Sequence, residues 1–298
     1  MIDLPAIRTH RLSKWYGRTE AVRELNLSVA RNRITGFLGR NGAGKSSTIK
    51  MLLGMMRPTS GEGSVLGKKI DDPAQSVEVR KDVAYVSEDK RLYSYMTVEQ
   101  LIRFTASFYP DWQSDVATSL LRKYELPPDR RVKALSKGMH AKLALLLAFA
   151  RRPKLLILDE PSAGLDPVGV EQLLEGLVSL CGQGTTVFFS SHQIPEVERI
   201  ADQVCMIEHG HLVADVSLDE IRQSWRQVDV VFPFEPANLQ VTLDGVESVQ
   251  TRGRQMSLCA SGHTDEIVAW ARGFEASAID VAPLGLREVF LKKIGAER

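Results

Sequence analysis

The segment from Gly39 to Ser46 has the residue types and the spacing that bind phosphate. Its sequence, GRNGAGKS, satisfies the pattern G-x-x-x-x-G-K-[ST]. The glycines let backbone amides turn inward and form a nest for phosphate oxygens. Lys45 can reach the β- and γ-phosphates of a nucleotide, and Ser46 can ligate Mg²⁺. We therefore predict a phosphate loop; the alternative is a glycine-rich turn that arose by chance.

Two adjacent acids, Asp159 and Glu160, could supply the chemistry that acts on a bound phosphate. They follow the apolar run LLIL, residues 155–158, which favours a buried strand that ends at a pocket. Asp159 is placed to hold Mg²⁺ through a water, and Glu160 could polarise an attacking water as general base. A pair of acids at a solvated loop end is the alternative interpretation.

A histidine, His192, ends a further apolar run, TTVFFSSH, at residues 185–192. A single histidine at a strand end is often structural. The apolar run predicts another strand of the same parallel sheet, and the carboxyl ends of parallel strands share one edge. His192 would then lie near Lys45 and Glu160, where it could hydrogen-bond the γ-phosphate.

Two helices must position these groups. Residues 46–53 have helical periodicity behind the phosphate loop, so a bound phosphate would meet the positive end of a helix. A second helix begins at Ser136 in ALSKGMHAKLALLLAFA, because its hydroxyl can accept the free amides of the first turn. That helix is apolar nearly all round, which predicts burial. Burial does not explain the small, polar and positive residues at its start, Ser136-Lys137-Gly138.

In this chain order the motifs resemble those of the ATP-binding cassette (ABC) ATPases. The resemblance is carried by Tyr16 in KWYG, the phosphate loop, VSEDKRLY, LSKGM, LLILDEP, AGLDP and SSH, and it covers residues 7–216. It implies an α/β fold with a phosphate-loop (RecA-like) core, an antiparallel β subdomain and a helical subdomain at about residues 90–150. LSKGM stands where the family usually has its signature sequence, LSGGQ, and we call residues 135–139 the signature.

The resemblance also implies an ATP site with Mg²⁺. The nucleotide-binding residues would be Tyr16, Gly39, Arg40, Asn41, Gly42, Ala43, Gly44, Lys45, Ser46 and Ser47. Tyr16 would stack on the adenine ring, and the alternative for Tyr16 is a half-buried aromatic of a sheet. Mg²⁺ would lie between Ser46, Asp159 and Glu88, and the catalytic residues would be Lys45, Glu160 and His192.

Members of the family work as head-to-tail dimers that hold two ATP molecules between them. Ser136, Lys137 and Gly138 would accordingly face the γ-phosphate bound by a second copy of this chain, and Asp166 would contact that copy. Dimer closure on ATP would drive a separate transmembrane permease. We expect a cytoplasmic protein, peripheral on the inner face of the cell membrane, that powers export.

Two positions depart from the common family pattern. Glu88 stands where most members carry glutamine, and a carboxylate is a stronger Mg²⁺ ligand; Glu88 could instead point to solvent. Lys137 replaces a signature glycine. Its ammonium could contact the phosphate of the other subunit or extend sideways into solvent, and both interpretations are open.

Composition is that of a soluble globular protein, and if the protein serves a membrane, we expect another chain to span it. The 298 residues are 44% hydrophobic and 25% charged with a net charge of +1, so nothing points to nucleic acid. The three cysteines form no C-x-x-C pair, which favours a reducing compartment. No apolar run approaches the roughly 20 residues of a membrane helix.

The remaining expectations concern organisation and rival functions. We assign residues 1–216 to the ATPase domain and 217–298 to a small α+β accessory domain, with strands at QVDVVFPF, LQVTL, VESVQT and QMSLCASG. Most aromatic side chains near the helical subdomain should be core, and a few could line a groove for the permease; they are Tyr93, Tyr95, Phe104, Phe108, Tyr109 and Trp112. The rival functions are a soluble ABC ATPase in translation or DNA maintenance, and a regulatory cassette that binds ATP without turnover.

Overall fold

The computed structural model describes residues 4–236 and 239–295. The outermost residues of both predicted domains therefore lie outside the described part. The chain divides into two compact units, Met1–Leu212 and Val213–Arg298. The assignment of the ATPase domain to residues 1–216 and of the accessory domain to 217–298 stays a prediction.

An antiparallel sheet forms the first layer of the larger unit. Its strands are β1 (Ile7–Tyr16), β2 (Thr19–Leu25), β3 (Ser28–Val29), β5 (Ser60–Val65) and β6 (Lys68–Lys69). They lie in the order β2-β1-β5-β6, with β3 paired to β1. The alternating stretches near residues 5–30 predicted this subdomain.

The second sheet has six strands in the order β11-β10-β4-β9-β8-β7. They are β4 (Ile34–Gly39), β7 (Val83–Val86), β8 (Leu155–Asp159), β9 (Thr186–Ser191), β10 (Gln203–Glu208) and β11 (His211–Ser217). The pairs from β10 through β4, β9 and β8 to β7 are parallel. β4, β8 and β9 are buried along their whole length, as their unbroken apolar runs predict. The mixed α/β core is the predicted fold class.

The described part of the larger unit also has seven α-helices. They are α1 (Lys45–Leu52), α2 (Pro73–Asp82), α3 (Val98–Ala106), α4 (Ser114–Lys123), α5 (Lys137–Phe149), α6 (Pro167–Gly182) and α7 (Ile194–Ile200). Thr97 and Gln100 form a capping box that starts α3. Ser136 caps α5, since its Oγ accepts a hydrogen bond from the amide of Met139 at 3.2 Å. Helices α3, α4 and α5 occupy the predicted helical segment.

The aromatic side chains of this segment are not core, contrary to our prediction. Tyr93, Tyr95, Phe104 and Phe108 are all exposed, and Tyr109 and Trp112 are half-buried. Helix α3 turns Val98 and Leu101 inward, so aromatic residues on its other side remain at the surface. They pack on one another instead: the ring centroids of Phe104 and Phe108 are 5.0 Å apart, and those of Tyr93 and Phe104 are 5.5 Å apart.

The smaller unit holds a four-stranded antiparallel sheet in the order β13-β14-β12-β15. Its elements are α8 (Leu218–Ser224), β12 (Arg226–Val231), β13 (Val246–Arg252), β14 (Gln255–Ala260), α9 (Thr264–Gly273), β15 (Ala278–Pro283) and α10 (Leu286–Gly295). The strand predicted at LQVTL is wrong. Its alternation has another cause: Leu239, Val241 and Leu243 pack against the apolar core of this unit.

Candidate functional site

The phosphate loop follows β4 and leads directly into α1. Gly42 and Gly44 have φ angles of 83° and 109°, which side-chain-bearing residues rarely adopt. A Cβ on Gly44 would lie 2.4 Å from the carbonyl oxygen of Ala21. The loop therefore needs glycine at Gly44 for space as well as for conformation, and it presents backbone amides ahead of the helix as a phosphate nest requires.

Lys45, Glu160 and His192 form a connected cluster at the carboxyl edge of the six-stranded sheet. The Nζ of Lys45 lies 3.1 Å from Oε1 of Glu160 and donates to the carbonyl of Gly39 at 2.7 Å. The Nδ1 of His192 lies 2.8 Å from Oε2 of Glu160. Lys45 and Glu160 are buried, whereas the His192 side chain is 48% exposed. The three predicted catalytic side chains are thus in direct contact.

Asp159 and the backbone of Glu160 are fixed by a serine of the neighbouring strand. Ser190 on β9 pairs in register with Asp159 on β8. Its Oγ donates to Oδ1 of Asp159 at 2.6 Å and accepts from the amide of Glu160 at 3.0 Å. Ser190 is completely buried, so this one hydroxyl links both acids to the adjacent strand.

The oxygen atoms expected to hold Mg²⁺ are compatible with that metal. Ser46 and Glu88 line one pocket together with Glu160 and His192. Asp159 is buried at the end of β8, one residue before Glu160. Hydroxyl and carboxylate oxygens are the hard donors that Mg²⁺ prefers. Glu88 is exposed, and it lines the pocket of the phosphate loop as well as the pocket beside α5.

The signature residues lie at the entrance of a different pocket. Ser136 and Lys137 line it with Lys90 and Ala163. The methylene stem of Lys137 lies over the backbone of Gly164: a Cβ on that glycine would be 2.9 to 3.1 Å from three Lys137 carbons. Gly138 also approaches this loop, since its own Cβ would lie 3.3 Å from the Gly164 oxygen. Lys137 is itself exposed, so this contact of its stem leaves both interpretations of its ammonium open.

Asp166 has a local role that the sequence reasoning missed. Its Oδ1 accepts a hydrogen bond from the amide of Gly169 at 2.7 Å, which caps α6. The side chain is also exposed. A contact of Asp166 with a second copy remains a prediction.

Tyr16 lies at the end of β1 beside α1. Its hydroxyl is 3.3 Å from Oγ of Ser47 and 2.9 Å from the sulfur of Met56. The residue is 46% exposed, and the ammonium of Lys14 lies 5.6 Å from the ring centroid. The ring is therefore adjacent to the phosphate loop helix with an accessible face, as adenine stacking requires, and stacking stays a prediction.

Four buried residues at the site were not predicted. They are Lys90, Ser190, Glu196 and Glu208. Burial raises the pKa of Glu196, although hydrogen bonds from Ser162 and Ser191 oppose that shift. Burial lowers the pKa of Lys90, and the neighbouring Glu88 opposes it. Lys90 and Ser190 stand inside the segments VSEDKRLY and SSH, and Glu208 ends an apolar strand, whereas Glu196 lies in α7 without a comparable signal in the sequence.

Comparisons with known proteins identify the family. The family model described as "ABC transporter" matches residues 22–163. An uncharacterized ABC transporter ATP-binding protein of Alkalihalophilus pseudofirmus is 31% identical, over 87% of this chain and 98% of that protein. The chain belongs to the ABC transporter ATP-binding proteins. A Nod factor export ATP-binding protein I of Neorhizobium galegae is 33% identical, over 99% of this ABC protein and 85% of the relative.

A solved structure supports the same assignment of fold. The ATP binding subunit of an ABC transporter superimposes on this ABC protein with a TM-score of 0.67 at 31% identity. The superposition covers 73% of this chain and 92% of that one. The protein is thus an ATP-binding subunit of the ABC transporter family with the predicted α/β core. Among its described residues, no helix is both long and apolar enough to cross a membrane.

Proposed function

We propose that this ABC protein hydrolyses ATP to ADP and phosphate, and that Glu160 is the general base. The observation that carries the proposal is the contact of Lys45, Glu160 and His192 beside a phosphate loop of the correct geometry. A general base must lie within hydrogen-bond reach of the water it activates. Glu160 lines the same pocket as Lys45 and Ser46, which supports its contact with a water beside a bound γ-phosphate.

Lys45 changes partner when ATP binds. Its ammonium forms an ion pair with Oε1 of Glu160 at 3.1 Å, and that oxygen has no other partner among the described residues. The β- and γ-phosphates offer Lys45 more negative charge than one carboxylate does. Transfer of Lys45 to the phosphates leaves Oε1 of Glu160 free to accept a proton from water.

His192 orients the base. A carboxylate only accepts hydrogen bonds, so Nδ1 of His192 donates to Oε2 of Glu160 across their 2.8 Å contact. The Nε2 atom of the same ring carries a proton only in the imidazolium form. A hydrogen bond from His192 to the γ-phosphate therefore requires the charged ring. In either form, the bond through Nδ1 restricts the orientation of the Glu160 carboxylate.

Mg²⁺ completes the site when it is bound. Ser46, Asp159 and Glu88 are the residues that would hold it, and it would neutralise charge that develops on the phosphates. The Ser190 hydroxyl occupies one oxygen of Asp159, which leaves the other oxygen of that carboxylate for the metal or its water.

A head-to-tail homodimer is the assembly that makes use of the signature. Ser136 and Lys137 line a pocket beside α5, whereas the phosphate loop lines another. The exposed start of α5 offers backbone amides and a positive helix end. We propose that this start faces the γ-phosphate bound by a second copy, so that each ATP is held by both chains.

The dimer drives a separate transmembrane permease in the direction of export. The Nod factor export protein, which is similar along almost this whole chain, supports export. The exposed aromatic side chains of Tyr93, Tyr95, Phe104 and Phe108 offer an apolar surface of the kind that receives a partner helix. The protein would then lie in the cytoplasm, peripheral on the inner face of the cell membrane.

Replacement of Glu160 by glutamine tests the proposal. Glu160→Gln should lower the ATPase rate by about 100-fold or more, because base catalysis contributes on this scale. Light scattering should then show an ATP-bound dimer that the wild-type protein does not accumulate. Glu175→Gln, an exposed acid on α6, is the matched control and should behave as wild type.

Two results would count against the proposal. If the wild-type protein binds ATP but shows no turnover with Mg²⁺, the regulatory cassette is the better description. If Glu160→Gln binds ATP and stays monomeric, the shared site between two copies is wrong.

A further inference from the structure

Lys90 is a buried lysine at the site that the proposed mechanism does not use. It stands four residues after β7, and its residue is only 6% exposed. Its Nζ lies within hydrogen-bond distance of three backbone carbonyl oxygens: 3.3 Å from Glu88, 3.4 Å from Glu160 and 3.2 Å from Ala163. A lysine ammonium has three protons to donate. Its whole donor capacity is thus directed to backbone.

The three carbonyls belong to two different segments of the chain. Glu88 is in the loop that follows β7, whereas Glu160 and Ala163 are in the loop between β8 and α6. These segments are about seventy residues apart in sequence. Lys90 therefore connects the segment that carries the predicted metal ligand Glu88 to the segment that carries the predicted base.

The backbone at both ends of this connection is strained. Glu160 has a φ of 47° and Lys90 a φ of 45°, and left-handed backbone is unfavourable for residues with a side chain. Such conformations persist where the surroundings hold them. The amide of Glu160 is held by Ser190 and its carbonyl by Lys90. The direction of the Glu160 side chain depends on that backbone conformation.

A second lysine holds the same loop from α5. The stem of Lys137 covers Gly164, the residue next to the Ala163 carbonyl that Lys90 contacts. The loop after Glu160 is thus held by an ammonium on one peptide and by methylene groups on the next.

We propose that Lys90 is a positioning residue for Glu160: its ammonium holds the left-handed turn at Glu160 in the conformation that directs the carboxylate into the phosphate pocket. The proposal rests on the proposed hydrolysis, since it assigns the support of its base. It concerns the turnover step and not nucleotide affinity, because Lys90 lies outside the residues that line the phosphate pocket.

The test compares Lys90→Met with Lys81→Met in the full chain. Methionine keeps most of the stem volume and removes the donors, and Lys81 is an exposed lysine of α2 that lines neither pocket. Lys90→Met should lower kcat for ATP about tenfold, the effect of one charge-assisted hydrogen bond, with KM within about twofold of wild type. Hydrogen–deuterium exchange at residues 160–165 should become faster, and Lys81→Met should leave all three quantities unchanged.

Lys90→Gln guards against a folding defect, because it keeps two amide donors and should lie between Lys90→Met and wild type. Equal kcat and equal exchange in Lys90→Met and wild type overturn the proposal. A change in KM alone, or faster exchange spread over the whole β-sheet, also overturns it and indicates a structural lysine. If the wild-type protein has no turnover, the hydrolysis proposal fails, and the exchange at residues 160–165 still decides whether Lys90 holds the turn.

Discussion

Ser190→Ala is the change that most directly tests the link between the two acids. The Ser190 hydroxyl donates to Asp159 and accepts from the Glu160 amide, at 2.6 and 3.0 Å. Alanine removes one oxygen atom and leaves the rest of β9 unchanged. The residue is 0% exposed, so bulk water does not reach the position to replace the hydroxyl.

The expected loss follows from the two bonds. A hydrogen bond to a charged group contributes about 1.5–3 kcal/mol, and a buried amide left without a partner costs about 1–3 kcal/mol. Because the two groups share one hydroxyl and can relax together, we expect about 3 kcal/mol of lost stability rather than the full sum. ATP turnover should fall as well, since the strained Glu160 backbone loses the partner of its amide.

Ser191→Ala is the matched control on the same strand. Ser191 is equally buried, but its Oγ donates to Glu196 at 3.3 Å and accepts from the Gln193 amide at 2.9 Å. Glu196 keeps its bond from Ser162, and Gln193 is exposed, so water can replace the acceptor of its amide. The control should therefore lose about 1.5 kcal/mol, the lower end of the range for a hydrogen bond to a charged group.

The assay is urea unfolding of the larger unit, followed by exchange protection of peptides from β8 and β9. The free energies of unfolding of Ser190→Ala and Ser191→Ala are then compared with each other and with that of the wild-type protein. If Ser190→Ala and Ser191→Ala lose the same stability, or if Ser190→Ala keeps wild-type turnover, the role given to Ser190 is refuted.

Three further changes have defined outcomes. Glu88→Gln should shift the dependence of ATPase activity on Mg²⁺ concentration, because a carboxylate is the stronger ligand; identical curves would contradict a role in metal binding. Gly164→Ala should lower the free energy of unfolding by about 1–2 kcal/mol because of its φ of 87°, and further because the new Cβ clashes with Lys137. Adding Lys137→Gly should recover only the part due to the clash, as measured by urea unfolding. Burial raises the pKa of Glu196 above 4.5, so the folded chain binds that proton more tightly and loses stability as the pH rises through the folded pKa. Glu196→Gln removes this loss, so its stability relative to wild type should improve as the pH rises above the ordinary range of a glutamate; parallel stability curves would contradict the shift.

The sequence was sufficient for the parts of the site that are contiguous motifs. The phosphate loop fixes its own geometry through Gly42 and Gly44, and the apolar runs before Glu160 and His192 specify buried parallel strands. Once the strands β4, β9 and β8 are adjacent, their carboxyl ends coincide. The contact of Lys45 with Glu160 and His192 therefore follows from topology.

Side chains that join distant segments left no pattern in the sequence. A lysine in a polar segment such as SEDKR is expected to be solvated, and only the fold shows that the Lys90 ammonium contacts three backbone carbonyls. The prediction that most of the aromatic side chains are core was wrong for a different reason. A hydrophobic residue is buried only when the same chain supplies a surface that covers it. Here Tyr95 packs on Tyr93 and Phe108 on Phe104, and all four residues remain exposed.

The contacts of Ser190, Lys90, Lys45 and His192 all hold Glu160, whose backbone is left-handed. Its amide is held from β9, its carbonyl from the loop after β7, and its two carboxylate oxygens from α1 and from the end of β9. A base held from several segments is productive only while those segments keep their relative positions. The signature helix α5 joins this set because Lys137 covers Gly164. A second copy that binds the start of α5 would thus act on the same loop that carries the base, which connects closure of the dimer to the orientation of Glu160.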